Sequence, residues 1–357
     1  MKIKSLLFSV VCVCAISYSF TSCSDDKDDL IDDGSTLSLP RTRAYFLNEG
    51  AYNMNNAGIT FYAPNKDHDK VDDIYMTQNK KSLGDTGQDM IEYDNNIYVV
   101  VFGSNLLVKL NSACVEQKRL SFPAEDGQPR YVTETGGKLY VTLYGGKVAK
   151  IDPKELTIEG YINVGKNPEE IAENNGFLYV VNSGWGEDST MTVISTADFK
   201  VNKTIEIAKN PFKVLESEDQ IFILAYGAYY DYPVQKVDIA TGSTTFIANA
   251  TNMCEHNGII YFVLSETNWS TYETINTFFS YNVKTGALNN NNFMTNMPSE
   301  LSSESIYMMA INDETGDFYI GTSDYVTNGD IYRFDANKRF VEKFESGGVS
   351  PTRAVFF

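Results

Sequence analysis

The sequence predicts an all-β fold, a seven-bladed β-propeller whose ring is closed by its own C-terminal strand. Three observations predict it. One phrase recurs seven times, its copies hold alternating apolar runs with almost no helical periodicity, and the last residues supply a strand that the first copy lacks.

The phrase is a proline or its equivalent, an apolar alternation, a tight turn and a Leu/Ile-Tyr-Val run. It reads PEEIAENNGFLYVVNSG from Pro168, PRYVTETGGKLYVTLYG from Pro129 and PFKVLESEDQIFILAYG from Pro211. Weaker copies begin at Asp89, Asn252 and Ile306. Aligned on the aromatic anchor, Tyr45, Tyr98, Tyr140, Tyr179, Phe222, Tyr261 and Tyr319 form one column. Their spacing is roughly the 40–50 residues of a propeller blade.

Short runs rich in Val, Ile, Tyr and Thr, bounded by Gly, Asn and Asp, read as strands joined by hairpins. The copy from Pro168 continues through MTVIS and FKVNKTIEIAKN to Pro211, adding two strands. Each repeat is therefore a four-stranded sheet. Its apolar faces are buried only when blades stack radially around a channel. The aromatic column then belongs between blades, as core. The first copy opens directly on Tyr45-Phe46-Leu47-Asn48, and Pro351-Thr352-Arg353-Ala354-Val355-Phe356-Phe357 provides the missing inner strand.

Ahead of the repeats the chain divides into residues 1–22, a signal peptide, and residues 23–40, a lipidated acidic tether; the propeller spans 41–357. Lys2 and Lys4 precede an apolar stretch, Leu6 to Ile16, too short to span a bilayer but suited to a secretory signal. Phe20-Thr21-Ser22-Cys23 resembles a bacterial lipobox and makes Cys23 the lipidation site, with Phe20 a departure from the usual aliphatic residue. The run Ser24-Asp25-Asp26-Lys27-Asp28-Asp29 makes a solvated tether and resembles the surface-export signal of Bacteroidetes lipoproteins. Membrane association is expected through the lipid alone, at the outer membrane and facing the exterior.

The formal charge is −18, and loss of Lys2 and Lys4 with the signal takes it to −20. So acidic a surface argues against nucleic acid as a partner. Three of the five cysteines (Cys12, Cys14, Cys23) precede the propeller, leaving Cys114 and Cys254, so no disulfide framework is expected.

Candidate site residues fall in the loops joining the second and third strands of each blade, which share a face with the connections between blades. Loops are ordinarily polar. These carry Tyr52, Phe102, Tyr144, Trp185, Tyr226, Tyr229, Tyr230, Tyr232, Trp269, Tyr272 and Tyr325, including both tryptophans of the chain. Some are expected to fold down onto blade edges. Together they suggest a concave binding surface, because Tyr and Trp offer a broad apolar face, a polar tip and few rotatable bonds. Asn53, Asn55, Gln128, Asn182, Glu187 and Asn268 lie among them and can pair with amides or hydroxyls.

Signs of catalysis are thin. The two histidines, His68 and His256, map to the opposite face, and no HExxH, paired-cysteine, GxSxG or P-loop motif is present. No catalytic residue, metal ligand or required cofactor is assigned.

The NSG…NP-type repeat resembles YncE-like propellers, and FLNEG at the start resembles their Bacteroidetes lipoprotein relatives, most nearly the BtuG-like surface cobalamin-binding lipoproteins. The resemblance covers essentially the whole mature chain. It implies a non-enzymatic protein that captures cobalamin or a related corrinoid and passes it to a BtuB-like TonB-dependent transporter. A corrinoid is a broad disc with many amide arms, which suits flat aromatic contacts and scattered polar groups. A glycan or peptide would also suit them, and a propeller hydrolase or lyase is a further alternative.

Overall fold

A computed structural model describes residues 30–64, 69–268, 270, 271 and 273–357. Residues 31–357 form one compact unit. The signal peptide, Cys23, the acidic run to Asp29, His68, Trp269 and Tyr272 lie outside the described residues.

Seven four-stranded antiparallel sheets are arranged as the repeats predict. The middle repeat shows the plan. Pro168–Asn174 is the inner strand, Phe177–Asn182 and Thr190–Ser195 follow, and Lys200–Glu206 is the outer edge. The blade's exposed outer edge is charged and polar, whereas its second strand is almost wholly buried. Edge strands of this composition resist pairing with other chains.

Local chemistry sets the inner hairpins. Asp94-Asn95, Gly136-Gly137, Asn175-Gly176, Glu218-Asp219 and Asn257-Gly258 all have positive φ at both residues. That is the type I′ geometry, whose twist matches the flanking strands. Asn-Gly and Gly-Gly adopt it at little cost, so the turns are visible in the sequence as they stand.

The ring closes as expected. Pro351–Phe356 pairs with Ala44–Asn48 as the innermost strand of blade one, with Tyr45 opposite Val355 and Phe46 opposite Ala354. Two further hydrogen bonds join Arg43 and Phe357, amide to carbonyl in each direction, at 2.9 and 2.8 Å.

The aromatic column lies between the blades. Tyr45, Tyr98, Tyr140, Tyr179, Phe222 and Tyr319 are buried, and Tyr261 is half-buried. Tyr45 packs with Phe61 of its own blade and with Val99 and Val101 of the next. Burial of such side chains stabilises by about 1.5–3 kcal/mol each.

Residues 31–40 differ from the expected free tether. Arg43 is 1% exposed, and its guanidinium donates to Asp32 at 2.8 Å and to the Ser112 carbonyl at 2.7 Å. Gln78 and Thr36 are joined in the same way, at 2.7 Å. A buried guanidinium needs a counter-charge, and Asp32 supplies it from the segment. The docked part therefore begins near Ile31, against the hairpin turn at Ser112. That turn lies at the end of the ring opposite the aromatic loops. No helix among the described residues is long and apolar enough to cross a membrane. Cys114 and Cys254 are free thiols.

Candidate functional site

The inner strands carry an irregularity where they meet the loop face. The register against the second strand slips between Gly87 and Asp89, Pro129 and Val132, Pro168 and Ile171, Pro211 and Lys213, and Ile306 and Met308. A β-bulge there breaks the strict in–out alternation and re-aims the side chains it contains. Gln88, Arg130, Glu169, Phe212 and Tyr307 occupy the bulges directly beneath the aromatic loops.

Three of those loops make one aromatic wall. Phe102 of blade two meets Tyr144 of blade three edge-on, with centroids 5.6 Å apart, and Tyr144 meets Trp185 of blade four edge-on at 6.2 Å. The Arg130 guanidinium lies 4.8 Å from the Tyr144 ring centre and 5.2 Å from that of Phe102. Its nitrogens donate to Glu169 at 2.7 and 2.9 Å and also to Gln88. Glu169 further accepts the Tyr144 hydroxyl at 2.6 Å and the Ser183 hydroxyl at 3.0 Å. Burial opposes the Arg130 charge, but Tyr131, Glu169 and Tyr144 hold it above its ordinary range. Burial also pushes the Tyr144 hydroxyl up, so it stays protonated as a donor.

Beside this wall is an open cleft of about 670 Å³, lined by Gln128, Tyr144, Asn167, Trp185 and Glu187 among others. Its size lies within the range of small-molecule sites. Two further aromatic groups stand around the face. Phe212 packs on Tyr226 at 4.4 Å, with Tyr230 and Tyr232 beside it. Tyr307 meets Tyr325 edge-on at 5.6 Å and donates to Glu49. Burial raises the Glu49 carboxyl above its usual range, while the Tyr307 hydrogen bond and Arg130 act against the shift.

Blades four and seven present their aromatics alike. Trp185 and Tyr325 both have positive φ, 54° and 65°, and each amide donates to the serine hydroxyl two residues back, Ser183 at 3.3 Å and Ser323 at 2.9 Å. Large side chains rarely adopt this backbone. Strain of this kind persists where the surroundings impose it and is frequent at binding sites. Trp185 is 75% exposed and Tyr325 62%.

The predicted residues thus divide. Phe102, Gln128, Tyr144, Trp185 and Glu187 are brought together at the wall and cleft, and Tyr226, Tyr230 and Tyr325 join the other two groups. Tyr52 and Tyr229 project into solvent, the latter 90% exposed. Asn53 and Asn55 serve the turn itself, with φ of 63° and 53°. Asn182 is a correction: it is wholly buried, and its amide donates to the Thr190 and Thr192 hydroxyls at 3.0 and 3.1 Å. It braces the blade instead of facing a ligand. Arg130, Glu169, Phe212 and Tyr307 are not among the residues predicted from the sequence. Their signal was the residue after the inner proline or its counterpart, charged or aromatic where a strand start is usually neutral.

His256 sits at the opposite end of its blade, 3.3 Å from Asp313. Among the described residues no group of acids, histidines and cysteines is arranged to hold a metal.

A family model described as "Domain of unknown function (DUF5074)" matches residues 43–338. No curated protein matches the chain. Solved structures share the fold at low identity. A candidate 6-phosphogluconolactonase from Bacteroides fragilis NCTC 9343 is similar with a TM-score of 0.63 and 12% identity, over 90% of this chain and 99% of that one. Virginiamycin B lyase from Staphylococcus aureus is similar with a TM-score of 0.54 and 14% identity, over 72% and 83%. Kuenenia stuttgartiensis hydrazine synthase gives 0.59 and 16%, over 71% and 77%.

Proposed function

This chain belongs to the DUF5074 family, and we propose that its loop face captures a corrinoid of the cobalamin type without transforming it. The observation that carries the reading is the wall Phe102–Tyr144–Trp185, backed by Arg130 and flanked by the polar cleft. A flat, largely apolar ring lies well against such a wall. Amide arms at its edge find donors and acceptors in Gln128, Asn167 and Glu187. The Arg130–Glu169 pair holds Tyr144 in place before a ligand arrives, which reduces the ordering cost of binding.

Capture without chemistry is the simpler use of these groups. Glu169, the acid nearest the wall, already accepts four donor groups from Arg130, Tyr144 and Ser183. A carboxylate so engaged is poorly placed as a general base. Lipidation at Cys23, display at the outer face of the outer membrane and delivery to a BtuB-like TonB-dependent transporter belong to the same proposal. Their support is the sequence around Cys23 and the resemblance to BtuG-like lipoproteins.

Isothermal titration of the mature chain with cyanocobalamin tests the core of it. Saturable one-to-one heat, lost in a Tyr144→Ala, Trp185→Ala double variant, is expected. Absence of heat, with colour lost on gel filtration, would exclude a corrinoid, and binding on a glycan array would then reassign the face.

A further inference from the structure

Next to the bulge residues, the inner strands of blades one to six carry a second set of polar side chains: Arg353, Asp89, Tyr131, Glu170, Lys213 and Asn252. In blade seven the corresponding Met308 is buried in the core instead. The two acids of this set are fully engaged. Asp89 accepts Arg353 at 2.6 Å with one oxygen and the Val132 amide at 2.9 Å with the other. Glu170 accepts Arg353 with one oxygen and the Val214 amide at 3.0 Å with the other. Arg353 thus reaches from blade one to blade four, across the face of Tyr131, 5.3 Å from its ring centre.

Lys213 makes no ion pair with either acid. Its ammonium donates to the Asn252 side-chain oxygen at 2.8 Å, and no carboxylate among the described residues lies within ion-pair distance of it. An ammonium has three donors, and Asn252 takes one of them. Burial holds it below the ordinary lysine range; Glu170, Cys254 and Asp89 oppose that shift and Arg353 adds to it. Enclosing a cation without a paired counter-ion is costly.

We infer that Lys213 is the docking point for a phosphate or carboxylate group that a ligand on the loop face lowers into the channel. The inference rests on the reading of that face as a ligand site. Asn252 holds the ammonium by one donor and leaves the others free for the anion. Asp89 and Glu170, quenched by Arg353 and backbone amides, do not compete for it.

The test uses the mature chain, its Lys213→Gln and Lys213→Arg variants, and two probes: cyanocobalamin, which carries a phosphodiester, and dicyanocobinamide, which lacks it. Lys213→Gln should lose about 10- to 100-fold in affinity for cyanocobalamin, the range of a charge-assisted hydrogen bond, with dicyanocobinamide unaffected. Lys213→Arg should retain most of the affinity, and thermal melting of Lys213→Gln should not fall, since the lysine gives the fold little. Equal effects on both probes, or none on either, would overturn the subsite and leave the corrinoid reading standing. If neither probe binds the wild-type chain, the corrinoid reading fails by itself. Lys213 is then judged by acetic anhydride labelling with and without inorganic phosphate: selective protection supports the anion subsite, and unchanged labelling removes it.

Discussion

The Tyr144 hydroxyl donates to Glu169 across 2.6 Å, joining a loop aromatic of blade three to the inner strand of blade four. The same carboxylate takes Arg130 at 2.7 Å and the Ser183 hydroxyl at 3.0 Å. One acid therefore ties together two blades, two loops and the guanidinium beneath the aromatic wall.

Replacing Glu169 by Ala leaves Arg130 without its counter-charge in a largely enclosed place. Removing one partner of such a pair costs about 3–5 kcal/mol, and the exposed edge of Arg130 puts the expectation near the lower figure. Glu169→Gln keeps the acceptor for Tyr144 and should cost less. Urea unfolding of the three proteins measures the difference; a loss below about 1 kcal/mol in Glu169→Ala would show that the network carries little stability.

Trp185 separates binding from folding. Its left-handed backbone costs on the order of 1 kcal/mol in any residue but glycine or asparagine, and its side chain is mostly in solvent. Trp185→Gly should therefore melt at a slightly higher temperature while losing about 2 kcal/mol of ligand affinity, as a central aromatic anchor does. A fall in both would mean that the indole is part of the fold.

Deleting residues 352–357 removes the inner strand of blade one and exposes the edge of Ala44–Asn48. It also deletes Arg353, the ion-pair partner of both Asp89 and Glu170. The truncated chain should lose its cooperative thermal transition by circular dichroism. An unchanged melting temperature would contradict closure by this strand.

Asp324 anchors the loop that carries Tyr325. The Thr327 hydroxyl and the Thr327 and Val326 amides donate to its carboxylate and hold its pKa down to about 2. A depressed acid keeps its bonds above the ordinary value of 3.8 and releases them as pH falls toward 2. The amide resonances of Val326 and Thr327 should therefore titrate near pH 2, with Tyr325 mobility rising in step. A midpoint near 4 would mean the loop is not held by Asp324.

The seven repeats, the four strands in each and the closing strand were legible in the sequence because each depends on local chemistry. Asn175-Gly176 and Asn257-Gly258 demand their turns wherever they stand, and the Tyr column repeats with the period of one blade. Aromatic residues in polar loops were likewise visible, since a loop tryptophan such as Trp185 is unusual in itself. What only the tertiary structure decided is which neighbours these groups meet. Arg130 reads as an ordinary strand residue until a bulge turns it beneath Tyr144 and blade four brings Glu169 alongside. Asn182 looks like a ligand partner until its strand buries it against Thr190 and Thr192. Asp32 looks like part of a solvated tether until the Arg43 guanidinium, buried at the ring's closure, requires a counter-charge. Alternation along a strand predicts which face is apolar, but contacts between blades join residues roughly one repeat or more apart. Their register is set by packing around the whole ring.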